Sequence, residues 1–88
     1  MGKTEKPNRD NAYSLFFVRP KGKANAHETA KKLAGMSSVN EVLVMEGKYG
    51  FVVKANSGED GELDSYISKN LGSFEKAVCY YSYKAKNR

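Results

Sequence analysis

The sequence contains no tryptophan, one cysteine, one histidine and two prolines in 88 residues, and each scarcity narrows the possible functions. Cys79 has no second thiol in the chain to pair with, and no Cys/His spacing of a zinc site exists. Flanked by Val78 and Tyr80, its thiol reads as buried and inert. His27 stands beside Glu28 near a predicted helix start, where a solvated surface role outweighs general-base work. No nucleophile motif is present, and no glycine-rich loop precedes a helix as a phosphate cradle would. No catalysis, no cofactor and no metal site is therefore expected. The longest apolar run, around Ser14 to Val18, is far short of the roughly 20 residues a membrane span needs. The polar N-terminus lacks a secretory apolar region, so a soluble, cytoplasmic protein without membrane partners is expected.

The formal charge is +5, and its location matters more than its size. Residues 1–35 hold eight basic side chains against three acidic ones, whereas the remaining residues hold seven of each sign. The excess lies in the first eleven residues, around Arg19 to Lys23, and at Lys31 and Lys32. A solvated loop and an exposed helix face account for the latter two better than a phosphate-binding patch does. Glu59, Asp60, Glu62 and Asp64 crowd the start of a predicted helix. The helix dipole favours them there, and no further carboxylate in register completes a metal site.

The most informative stretch is Val39 to Ala55, two runs rich in β-branched and aromatic residues flanking Glu46-Gly47-Lys48. A short glycine-containing gap between such runs predicts a β-hairpin. Gly47 supplies the positive φ of the turn, and Gly50 marks a bulge or a close approach to the backbone. Before the hairpin, residues 1–11 are polar and aperiodic and read as a disordered tail, leaving 12–88 as one domain. A chain of this size has a stability on the order of 5 kcal/mol. Ala12 to Val18 form a strand apolar on both alternating sets, with Tyr13, Leu15 and Phe17 on one and Phe16 and Val18 on the other. Arg19-Pro20-Lys21-Gly22-Lys23 should end it. Asn25 and Glu28 resemble a capping box ahead of Ala26, Ala30, Leu33 and Ala34 at helical spacing, with Gly35 as a left-handed C-cap. Leu63, Tyr66, Ile67 and Leu71 define a second helix, N-capped by Ser57 or Asp60 and closed by Gly72. Glu75 to Lys84 give a last strand rich in tyrosine.

The order of elements predicts an α+β, ferredoxin-like βαββαβ fold: a four-stranded antiparallel sheet with two helices on one face. Right-handed crossovers put the first and third strands at the centre. Two helices cover only one sheet face, yet the strands are apolar on both, and a bare apolar face is larger than soluble monomers usually expose. A second copy of the chain, a ligand or stacked bases must cover it.

From about Tyr13 to Tyr83 the sequence resembles the C-terminal effector domain of the leucine-responsive and asparagine-regulator (Lrp/AsnC) family, known as the RAM domain. The resemblance is carried by the opening strand, the helix ending Leu33-Ala34-Gly35-Met36, the run Val39-Asn40-Glu41-Val42, the turn Gly47-Lys48-Tyr49-Gly50, the second helix and the tyrosine-rich last strand. It implies a homodimer formed through the sheets, closing in many members into a larger ring. It also implies an amino acid or similar effector bound near the hairpin turn. By position, Gly47, Tyr49 and Gly50 become the effector-binding candidates, and Tyr13, Phe17, Phe51, Tyr81 and Tyr83 the dimer-interface candidates. Gly50 stands where the family usually has Asp, so a carboxylate that could meet a ligand is missing. Residues 1–11 are too short for the family's DNA-binding domain, which implies a stand-alone effector domain that does not itself contact DNA and works with full-length regulators in transcription control. The alternative is an RNA-recognition motif. Tyr49-Gly50-Phe51-Val52 matches the middle of its signature and Leu15-Phe16-Phe17-Val18 loosely matches its first-strand partner, but Gly47 and Lys54 replace the signature's leading basic and closing aromatic residues.

Overall fold

The computed structural model describes residues 12–22 and 25–81; the expected tail at residues 1–11 and Tyr83 lie outside them. Six elements follow one another: β1 (Tyr13–Pro20), α1 (Ala26–Ala34), β2 (Val39–Val44), β3 (Phe51–Asn56), α2 (Gly61–Asn70) and β4 (Gly72–Cys79). The sheet is antiparallel in the order β2-β3-β1-β4, with the first and third strands central. This is the ferredoxin-like arrangement.

Helix α1 starts where Asn25 Oδ1 accepts the Glu28 N–H at 3.0 Å. It does not end on a left-handed glycine. Gly35 sits at φ −82°, its N–H shared between the Lys31 and Lys32 carbonyls. A turn from Met36 then carries the chain into β2, so no reversal of backbone hand is needed. Arg19 and Pro20 do not end β1 either. The strand runs on to pair Pro20 with Gly72, because Pro20 stands at the last position of the ladder, where its missing N–H costs least. Gly72 opens β4 instead of closing α2, which ends at Leu71 through a 2.9 Å bond to the Ile67 carbonyl. Gly72 lies at φ +157°, and a Cβ there would collide with the Arg19 carbonyl oxygen; glycine is what lets the start of β4 lie against the end of β1. The β4 ladder stops at Cys79, with Tyr80 and Tyr81 beyond it; the rest of the expected strand, to Lys84, lies outside the described residues.

Side-chain alternation along β1 divides the sheet into two unlike faces. Phe16 and Val18, with Phe51, Val53 and Ala55 of β3, are buried against Leu33 of α1 and Leu63, Ile67 and Leu71 of the α2 segment. Phe51 was an interface candidate, but its register partner is Val18 and only 2% of it is exposed. It belongs to the chain's own core. The reason is the kink before β3: Gly50 lies outside the strand, so Tyr49 and Phe51 do not share a face as they would in an unbroken run.

One polar cluster interrupts this core. Asp60, at the start of α2, makes no side-chain cap hydrogen bond. Its Oδ2 lies 3.1 Å from Lys76 Nζ on β4, and Lys76 also reaches over the Phe16 ring at 5.2 Å. Burial works against ionisation of Asp60, but the Ser14 hydroxyl and the Lys76 ammonium outweigh it and hold the carboxyl below its ordinary value near 3.8. The ion pair thus ties α2 to β4 beneath the helix layer.

Two outcomes follow. Phe51→Ala should cost about 3–5 kcal/mol in urea unfolding, independent of protein concentration; a small, concentration-dependent loss would return Phe51 to an interface. Asp60 contributes stability present above its unfolded pKa and lost as pH falls through the lower folded one. Unfolding followed from pH 5 down to about 2 should show that loss, and Asp60→Asn should flatten it.

Candidate functional site

The second face of the sheet carries no helix. From the ladder registers it presents Tyr13, Leu15, Phe17 and Arg19 of β1, Val52 and Lys54 of β3, Glu41 and Leu43 of β2, and Glu75 and Ala77 of β4. Leu15, Phe17 and Val52 are half-buried by sheet neighbours alone, and Leu43 is 47% exposed. Lys54 lies across Tyr13 with Nζ 4.2 Å from the ring centre, so a charge partly shields one end of the apolar strip. Glu41, Lys54 and Glu75 rim it. Of the expected interface residues, Tyr13 and Phe17 stand on this face and Tyr81 follows the end of β4, 44% exposed.

At the hairpin end, Tyr49 folds onto the same face. Its ring lies 5.9 Å from that of Phe17, with the Arg19 guanidinium 5.8 Å and the Lys48 ammonium 5.4 Å from its centre. A cleft of about 180 Å³ opens beside it, lined by Arg19, Tyr49, Ser73, Phe74 and Glu75. The three expected effector residues separate. Tyr49 lines this cleft; Gly47 is exposed at the turn with φ +106° and open space where a Cβ would be. Gly50 has its own backbone committed, its N–H to the Val18 carbonyl at 2.9 Å and its carbonyl to the Met45 N–H at 2.8 Å. The close approach expected there is real, and the group approaching is Pro20, whose Cγ would stand 2.8 Å from an added Cβ. Arg19, Ser73 and Glu75 were not singled out, since the fold class sets β1 beside β4 but not which residues of the two strands stand opposite one another.

On the other side of the hairpin a more apolar cleft of about 240 Å³ is lined by Pro20, Ala26, Val44, Met45 and Phe51, among others. Cys79, expected to be buried, is half-exposed opposite Tyr13, its Sγ donating to the Tyr81 carbonyl at 3.2 Å. His27 is exposed in the first turn of α1. Among the described residues no His, Cys, Asp and Glu side chains are grouped as metal ligands, and no helix is long and apolar enough to cross a membrane. The RNA-recognition signature fits poorly in space. Phe16 and Phe51, two of the aromatics in its matching stretches, are in the core, leaving Phe17 and Tyr49 in contact with each other.

No family model matches the chain, and no curated protein matches its sequence. Solved structures do. The hypothetical protein PHS023 from Pyrococcus horikoshii is 18% identical with a TM-score of 0.61, the match covering 82% of this chain and 93% of that one. TTHA0845 from Thermus thermophilus is 19% identical with a TM-score of 0.61, covering 84% and 99%. FFRP-DM1 is 19% identical with a TM-score of 0.59, covering 77% and 97%. At these identities the likeness is one of fold.

The two hairpin glycines should respond differently to a methyl group. Gly50→Ala drives Cβ into a rigid proline ring and should cost about 1–3 kcal/mol. Gly47→Ala meets no neighbour, and backbone strain alone should cost about 1 kcal/mol. Urea midpoints compare them, and an unchanged midpoint for Gly50→Ala would show that Pro20 yields freely.

Proposed function

We propose that this chain is a regulatory domain of the Lrp/AsnC effector type, which pairs with a second copy through the open face of its sheet and senses a small effector, an amino acid, at the hairpin end of that face. The reading rests chiefly on one observation: both helices lie on one side, while Leu15, Phe17, Leu43 and Val52 form an apolar strip on the other. Burying such a strip gains about 25 cal/mol per Å² removed from water, and a matching copy presents the same strip in return. The likeness to FFRP-DM1 is one of fold and supports the architecture that this reading requires. On this reading the natural partners are a second copy, larger rings built from such pairs, and full-length regulators that carry the same domain. On the same reading its part in transcription is through them.

Light scattering at micromolar concentration tests the pairing. The expected mass is at least twice that of the chain, reduced to a folded single chain by Phe17→Glu, which places a carboxylate in the middle of the strip. A parent that scatters as a single chain at that concentration removes the proposal. If the parent instead binds single-stranded RNA with an affinity that falls steeply with salt, the sheet serves bases. For sensing, an amino acid at about 100 times its dissociation constant should stabilise the fold by roughly 2.7 kcal/mol in thermal unfolding.

A further inference from the structure

We propose that the cleft beside Tyr49 binds a small zwitterion, with Arg19 reading its carboxylate and Glu75 its ammonium. This rests on the effector reading above but moves the ligand from the turn glycines to the ends of β1 and β4. Arg19 pairs in register with Ser73, and Phe17 with Glu75, so Arg19 and Glu75 are diagonal neighbours on the open face, about 7–8 Å apart at the backbone. Opposite charges so placed ordinarily pair with each other. Here they do not: the ion pairs among the described residues both belong to Lys76, and the Arg19 guanidinium turns instead to the Tyr49 ring. Between them the cleft stays open, at about 180 Å³, smaller than the sites that hold drug-sized molecules.

A cleft lined by both an arginine and a glutamate discriminates by what it leaves unmatched. A plain carboxylate satisfies Arg19 and sets a second negative charge near Glu75. A plain amine does the reverse. A molecule bearing both charges a few atoms apart answers both residues at once, and a donor left facing nothing is what makes such sites selective. The Ser73 hydroxyl adds one further donor or acceptor, and the Tyr49 ring gives a flat apolar surface for a short side group.

Calorimetric titration of the full chain with alanine, propionate and ethylamine tests this. Alanine should bind about tenfold or more tighter than either singly charged probe. Glu75→Gln should abolish the preference for alanine over propionate, and Arg19→Gln the preference for alanine over ethylamine, with thermal unfolding showing that both exposed-site variants stay folded. Propionate binding as tightly as alanine overturns the proposal. So does alanine binding that neither variant alters, which would leave sensing intact and place its site elsewhere. Absence of binding by alanine, and by glycine and serine used as further probes, overturns the site, while sensing is decided by thermal unfolding across the other amino acids and the pairing by light scattering.

Discussion

The rest of the structure depends on the placement of β1, one of the two strands flanked on both sides. Its side chains alternate between the helix layer and the open face, and because the alternation has a period of two, a slip of one residue would exchange the faces. Phe16 and Val18 face inward, where a fully buried side chain of this size contributes about 1.5–3 kcal/mol. Tyr13, Leu15 and Phe17 then face outward with no helix to meet them. The exposed apolar strip is thus the other side of the same choice that builds the core, and the functional reading follows from it.

Close approach fixes that register. Pro20 packs on Gly50 at one end of β1, and Gly72 passes the Arg19 carbonyl where β4 begins. Both contacts need a residue without a side chain on the neighbouring segment, and both hold the end of β1 that carries Arg19. The consequence for function is direct. Tyr49, Arg19 and Glu75 line one cleft because two glycines let three segments crowd together there. On the opposite face, the Asp60 to Lys76 ion pair secures α2 to β4 and so steadies the strand that carries Glu75.

A ligand in that cleft would also lie at the margin of the proposed pairing surface, since Tyr49 touches Phe17 in the middle of the strip. Binding there and association of two copies would then share a coupling free energy, and each would strengthen or weaken the other by the same factor. That is the form a sensing domain needs if a metabolite is to alter assembly without large motion inside the fold.

The order of elements, the ferredoxin-like class, the central position of β1 and β3 and the existence of an uncovered apolar face all came from local pattern. Periodicity, the Asn25 cap and the Gly47 turn are properties of neighbouring residues, and neighbours are what a sequence records. The sides on which Tyr49 and Phe51 lie were not legible, because a kink at Gly50 breaks the alternation that a sequence reading must assume. The roles of Gly35 and Gly72 were misplaced for a related reason: a glycine signals freedom of the backbone, and only the packing around it tells what the freedom is for. The meeting of Arg19, Tyr49 and Glu75 lay beyond the sequence altogether. These residues stand on three separate segments, and the antiparallel register that brings them together is set by the core as a whole.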